Sequence, residues 1–200
     1  MTLLTIAQGL AKNVGMQVPT SVVGSTMRTW QEALQFANET GEELARRVDW
    51  GALQATTTLT GDGTNKTFTL PAGFSRLSKG IAIKSGTSIV RPLSRAEWNS
   101  LTAVQGEPRY FLLEGNEVTL WPYLANAATA TVSYQSDLWT SAGSSAFTVD
   151  TQTSLIDEDL FLKGLIVRWR RQKGMAYQDE EAEYEAALAD YANFDDRGRF

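Results

Sequence analysis

The stretch that decides the fold runs from Asp157 to Gly174 and reads DEDLFLKGLIVRWRRQKG. Its apolar residues cover most of a helix circumference, which predicts a long helix at the centre of a helical core. Acidic residues at its start and basic residues at its end both suit the helix dipole. Gly174 is typical of a helix end, because glycine readily adopts the left-handed conformation there. Leu165 and Trp169 are therefore predicted core residues.

A second, acidic helix follows after a tight turn. It extends over about Tyr177–Ala192 and places Tyr177, Tyr184, Leu188 and Tyr191 on one face. This face predicts packing against the preceding helix, with Leu188 in the core.

Two more helices are predicted near the N-terminus. The first covers Leu3–Val14. The second follows Ser25 and extends to about Trp50. Its apolar residues recur at three- and four-residue spacing, and they include Trp30 and Leu34. Trp30 and Leu34 are both predicted to lie in the core. Gly41 occupies the one vacant place on this stripe, where a small residue permits close approach of another helix.

Between these helical regions the apolar pattern changes to a period of two. Strand-like runs flank three turn sequences: Gly61–Asn65, Ser85–Thr87 and Glu114–Asn116. Such runs, separated by short glycine-containing turns, are typical of antiparallel hairpins. The segment therefore predicts a β-rich lobe.

We expect an α+β fold in which both chain ends form a four-helix bundle and carry an inserted antiparallel β-rich lobe. The bundle is predicted to comprise residues 1–53 and 151–193. The lobe is predicted to comprise residues 54–150, and residues 194–200 to form an extended C-terminal tail.

The composition excludes several classes of function. The chain contains neither cysteine nor histidine. Thiol and Ser-His-Asp catalysis, and metal sites that need Cys or His ligands, are therefore excluded. We expect no catalytic, cofactor-binding or metal site. The first fifteen residues lack the pattern of a secretory signal, and no apolar run approaches the length of a membrane span.

Charge is unevenly distributed along the chain. Residues 178–200 hold eight acids and two bases, whereas residues 1–177 have a net charge of +1. One basic cluster stands out: Lys163, Arg168, Arg170, Arg171 and Lys173. It is consistent with a contact to phosphates or an acidic partner, but we favour neutralisation by the acidic helix that folds back beside it.

The acidic helix itself allows two interpretations. Asp179, Glu180 and Glu183 form either a merely solvated face, or a face that contacts a basic partner or lines a channel. Like charges four residues apart on this helix cost a few tenths of a kcal/mol per pair.

Two further function classes have candidate residues. The carboxylates are Glu42, Glu43, Asp157, Glu158 and Asp159, which are alternatively explained by ion pairs and a helix start. Such carboxylates would serve a carboxylate-dependent muralytic hydrolase. The aromatic residues are Trp98, Trp121 and Trp139, which would serve a carbohydrate-binding module or a protein interface.

Segments along nearly the whole chain resemble one known family. In the first half they are Thr2–Leu4, Pro19–Ser25, Ala37–Glu39 with Gly41, Glu43–Ala45, Arg47 and Trp50. In the β segment they are Leu70–Phe74, Pro92–Ser94 with Glu97-Trp98, and Pro108–Tyr110. The strongest are Gly164–Ile166, Arg168–Arg170, Lys173-Gly174 with Tyr177, and Glu183–Leu188. The ordered set resembles the bacteriophage head-to-tail adaptor proteins, also called head completion or connector proteins, and is similar to tail tubular protein A of short-tailed phages.

The resemblance implies a structural virion protein without enzymatic activity or cofactor. Such adaptors form a ring, usually of twelve copies, beneath the portal. They join the head to the tail during tail assembly and let the genome pass on ejection. The implied partners are the portal protein, a tail or nozzle protein and neighbouring copies, with DNA passing nearby and no membrane contact. The implied location is the virion, assembled in the host cytoplasm.

The C-terminal segment Phe194–Phe200 matches no family pattern. Phe194 and Phe200 are aromatic anchors on a polar segment, and Arg197 and Arg199 suit ion pairs with an acidic surface. We therefore expect this segment to be an extended arm that docks onto the portal.

Overall fold

The computed structural model describes the backbone of residues 1–197 and the side chains of residues 1–192. The chain divides into two compact units. One consists of Met1–Leu53 and the chain from Asp137 onward, and the other is Gln54–Ser136. Residues 137–150, which the sequence pattern places in the β-rich lobe, belong to the helical unit.

The helices, in chain order, are α1 Leu3–Val14, α2 Arg28–Arg47, α3 Arg95–Trp98, α4 Glu158–Gln172 and α5 Gln178–Arg197. The start of α4 is capped by Asp157, whose carboxylate accepts a 2.9 Å hydrogen bond from the Leu160 N–H. Gly15 ends α1 with φ 70°, a left-handed conformation that favours glycine. In residues 1–197 no helix is long and apolar enough to cross a membrane.

In the helical unit, α1, α2 and α5 each pack against α4. This arrangement follows from the composition of α4, which buries residues on most of its circumference: Leu160, Phe161, Gly164, Leu165, Ile166, Val167 and Trp169. Trp30, Leu165, Trp169 and Leu188 lie buried in this core, and Leu34 is half-buried at its margin.

The segment between Asp137 and Asp157 completes the same core. Trp139 is fully buried and packs edge-on against Phe147, with ring centroids 4.8 Å apart. It also contacts Phe161 of α4 at 5.6 Å. The space left by Gly41 on α2 is filled by this indole and not by another helix, because a Cβ at Gly41 would lie 2.3 Å from Trp139 Cζ2.

The second unit contains one eight-stranded sheet. Its strands are β1 Gln54–Thr60, β2 Thr67–Thr69, β3 Phe74–Leu77, β4 Ile83–Ser85, β5 Ser88–Pro92, β6 Tyr110–Glu114, β7 Glu117–Trp121 and β8 Thr129–Ser136. The order is β1-β8-β4-β5-β6-β7-β2, and β3 also pairs with β8. A separate apolar core lies in this unit and includes Leu59, Ile83, Val118 and Val132.

The expected four-helix bundle with an antiparallel lobe is wrong. Within residues 1–197 the structure has five α-helices and an eight-stranded mixed sheet, in which β5 and β6 run parallel. A parallel pair needs a long connection, and the chain between Pro92 and Tyr110, which includes α3, supplies it. Alternation of apolar residues marks a strand but carries no information about its direction.

The extended conformation expected from Phe194 is also wrong for residues 194–197, because α5 continues to Arg197. Residues 198–200 lie outside the described part of the chain.

Candidate interaction site

Ion pairs connect α2, α4 and α5, and we call the paired residues the charged seam. Its members are Glu32, Glu39, Glu43, Arg47, Arg168, Arg170, Arg171, Lys173, Glu180, Glu181 and Glu185. At its centre Arg168 of α4 bridges two carboxylates of α2. Its Nη1 lies 2.8 Å from Glu39 Oε2, and its Nη2 lies 2.5 Å from Glu43 Oε2. Glu39 and Glu43 are one turn apart, so the planar guanidinium reaches both at once.

Arg47, one further turn along α2, connects the seam to α5. It donates two hydrogen bonds to Glu185, at 2.7 and 2.6 Å. The hydrogen bond to Glu185 raises the pKa of the Arg47 guanidinium, and the bond from Arg47 lowers the pKa of Glu185. Both pKa shifts favour the charged forms, so this pair stays ionised over a wide pH range.

The basic end of α4 is neutralised from two sides. Arg170 pairs with Glu180 of α5 at 2.7 Å, and Arg171 pairs with Glu181. Lys173 instead pairs with Glu32 of α2. The acidic helix α5 therefore neutralises Arg170 and Arg171 of the basic cluster, whereas α2 neutralises Arg168 and Lys173.

A cavity of about 210 Å³ opens on the charged seam. Its lining includes Phe36, Arg168, Arg171 and Tyr184. Gly164 keeps α4 close to α5 here, since a Cβ at that position would lie 3.0 Å from the Tyr184 ring. Burial raises the pKa of Tyr184 to about 12, so the phenol is neutral at physiological pH.

The acidic face of α5 is divided by these contacts. Glu180 is paired with Arg170, whereas the side chains of Asp179 and Glu183 are exposed. These two carboxylates are therefore accessible to a partner.

The carboxylate of Asp150 anchors the loop between α1 and α2. The Asp150 carboxylate accepts hydrogen bonds from the Ser21 hydroxyl at 2.7 Å and from the Val23 N–H at 2.8 Å. Burial acts to raise the pKa of Asp150, but the hydrogen bonds outweigh it and the net pKa is lowered. This contact is a structural anchor.

Three of the five candidate catalytic carboxylates have structural partners. Glu43 pairs with Arg168, Asp157 caps α4, and Glu158 pairs with the amino terminus of Met1. Glu42 lies on α2 and Asp159 at the start of α4. Among the side chains of residues 1–192, no group of acidic residues is suited to hold a metal ion.

The three tryptophans considered for carbohydrate binding have different environments. Trp139 is fully buried and therefore cannot stack on a sugar. The Trp121 indole N–H donates to the Thr102 carbonyl at 2.7 Å, and its ring lies 5.9 Å from that of Tyr110. Trp98 ends α3 and is half-buried.

The residues expected to bind the portal are Phe194, Arg197, Arg199 and Phe200. The first two lie in the last turn of α5, and the other two lie outside the described residues. Their role in portal binding stays a prediction.

The i,i+4 spacing in the sequence indicated the ion pair of Glu43 with Arg47, but sequence reasoning did not identify Glu32, Glu39 and Glu185 as members of the seam. A signal was present, because Glu39, Glu43 and Arg47 recur every four residues along one face of α2. The pattern does not reveal which other helix faces that side of α2.

Comparison with known families defines the class of this protein as a phage adaptor. The model of the SU10 adaptor protein family matches residues 1–199, so the chain belongs to the SU10 adaptor protein family. The resemblance seen in the sequence is thereby confirmed, and the protein is a structural adaptor of the bacteriophage virion. No curated protein matches the chain significantly.

Proposed function

We propose that copies of this protein form a ring, of twelve subunits as in similar adaptors, beneath the portal. The ring joins the head to the tail and lets the genome pass through its centre. The observation that carries this proposal is the family match over residues 1–199, which supports an adaptor role for the whole chain.

The charge distribution supports passage of DNA without tight binding. Arg168, Arg170 and Arg171 are held by carboxylates of the same chain, so they are unavailable as free contacts to a phosphate backbone. The exposed Asp179 and Glu183, together with Glu180, form the face that we assign to the channel or to a basic partner. Negative charge there would repel phosphates and keep the DNA mobile.

Portal binding is assigned to the C-terminal segment. Phe194 and Phe200 offer aromatic anchors, and Arg197 and Arg199 offer charge-assisted hydrogen bonds to acidic groups of the portal.

Nothing favours the alternative functions. Glu43 and Asp157 are engaged in structural contacts, and the ring of Trp139 is inaccessible to a sugar. We therefore do not propose a muralytic hydrolase or a carbohydrate-binding module.

The test is co-sedimentation of the purified protein with its portal, followed by electron cryo-microscopy of the complex. A ring of adaptor subunits below the portal is the expected result. Failure to bind the portal in any stoichiometry would overturn the proposal.

Removal of residues 194–200 tests the binding segment separately. We expect an unchanged melting temperature and lost or much weakened co-sedimentation. A matched control is the double charge reversal Asp179→Lys/Glu183→Lys, which leaves the C-terminal segment intact and should still bind. Retained binding with a weakened fold would show that the segment packs on its own subunit.

A further inference from the structure

Within the described part of the chain, the outer edge of β1 has no hydrogen-bonded partner strand. β1 stands at one end of the sheet order and pairs with β8 alone. Its seven residues, QATTTLT, carry no charge, proline or glycine. Within residues 54–136, no hydrogen bond from another residue reaches the backbone groups on its outer edge.

The register shows which backbone groups face this edge. Ser133 of β8 donates its N–H to Ala82 and accepts from Ser78, so its backbone groups point away from β1. Thr56 is directly opposite Ser133, and its own N–H and C=O therefore point away from β8. By the same alternation, the backbone groups of Gln54, Thr58 and Thr60 also face the open edge.

The strand at the opposite end of the sheet, β2, is protected against the addition of another strand, in contrast to β1. β2 has only three residues, and the Thr67 N–H is already bound to Asn65 Oδ1 at 3.1 Å. Lys66 precedes the strand. Short length and a nearby lysine are the usual means of blocking strand addition at an edge, and β1 has neither.

We propose that β1 pairs in antiparallel register with β1 of a second copy, through a two-fold axis at Thr57. This register places Thr56 opposite Thr58 of the partner subunit, and Gln54 opposite Thr60 of the partner subunit. Every outward backbone group then gains a partner. On the face that carries the apolar core, Leu59 lies beside Ala55 of the partner subunit, and no like charges meet.

The choice of a second copy follows from the side chains. In strand addition the main chain supplies affinity, whereas pockets for alternate side chains select the sequence. The exposed face beside the edge consists of threonines at positions 56, 58 and 60, with Thr131 and Thr129 opposite the last two. A uniform row of this kind has no pockets that would select a foreign segment. It is, however, complementary to itself.

We expect this contact in the isolated protein, outside any ring. Neighbours in a cyclic ring meet through two different surfaces, whereas a two-fold contact uses the same surface twice. A two-fold contact through β1 is therefore not a contact between neighbours in a ring. The inference does not rest on the proposed ring, because it concerns the isolated chain.

The experiment is sedimentation equilibrium of the purified chain over a wide concentration range. We expect wild type to reach twice the 22.0 kDa chain mass at tens of micromolar. The double variant Thr56→Lys/Thr58→Lys sets like charges directly opposite each other across the axis, which should raise the dimer dissociation constant at least about tenfold. Thr129→Lys/Thr131→Lys is the matched control, because it adds the same charges to the same face one strand further in, and it should dimerise much more like wild type.

A second pair of variants separates the backbone from the side chain. Thr58→Pro removes an outward N–H without breaking a bond to β8, and should abolish the dimer while the fold persists. Thr58→Val keeps the backbone and the shape, and should leave the dimer intact. A monomeric wild type at these concentrations, or a dimer that survives both the lysine pair and the proline, would overturn the proposal.

Discussion

The contact between Gly41 and Trp139 allows a sharp test of the helical core. In an exposed helix, replacing glycine by alanine stabilises by about 1 kcal/mol. At Gly41 the added Cβ would lie 2.3 Å from Trp139 Cζ2. The indole is fully buried and wedged between Phe147 and Phe161, so it cannot swing aside. Overpacking of this kind typically costs about 1–3 kcal/mol, so we expect Gly41→Ala to destabilise.

A smaller ring at position 139 should relieve the clash. Trp139→Phe removes the six-membered part of the indole, which includes the atoms nearest to Gly41, together with an N–H that has no acceptor within the described chain. Removing this unsatisfied N–H is favourable, so it offsets part of the free energy of unfolding that is lost with the side-chain volume. The double variant should then be more stable than the sum of the single changes predicts, by about 0.5–3 kcal/mol.

The assay is chemical denaturation of the four proteins with a common slope. For a chain of this size each kcal/mol corresponds to a change of about 2–4 °C in melting temperature, so calorimetry gives an independent check. Additive effects of the two substitutions, or a Gly41→Ala protein more stable than wild type, would show that the indole does not occupy this space.

Three other outcomes follow from the same structure. Trp169→Ala should cost about 3–5 kcal/mol, because the side chain is buried on α4, and an unchanged melting temperature would exclude that burial. Glu185 has a lowered pKa in the folded state, so its pair with Arg47 stabilises above the unfolded pKa of about 4.3 and is lost as the pH falls through the lower folded value. Glu185→Gln should therefore make the free energy of unfolding depend less on pH in the acid range. A pH dependence identical to that of wild type would argue against the pair. Light scattering of the isolated protein should show nothing larger than a dimer, and a stable closed ring without portal would contradict a ring that depends on the portal.

The helices were predictable because their signals are local. The apolar circumference of Asp157–Gly174 and the glycine after it predict a central helix, and α4 occupies Glu158–Gln172 with three helices packed around it. The turn sequences at residues 85–87 and 114–116 are likewise short-range signals, and each joins two strands that pair antiparallel, β4 with β5 and β6 with β7. The hairpin expected at residues 61–65 is wrong, because β1 pairs with β8 and β2 pairs with β7. The adaptor family also followed from the sequence, since it depends on an ordered set of residues and not on their geometry.

Other features arise only from contacts between distant residues. The parallel pairing of β5 and β6 depends on the path of the seventeen residues between Pro92 and Tyr110, and no periodicity in the sequence encodes that path. The pairing of Arg168 with α2 depends on which face of α4 meets which helix, and charge patterns along one helix do not specify it. Trp139 has no periodic neighbours to mark it as core. Its burial is decided by the space at Gly41, and that space exists only once α2, α4 and the segment before α4 have packed together.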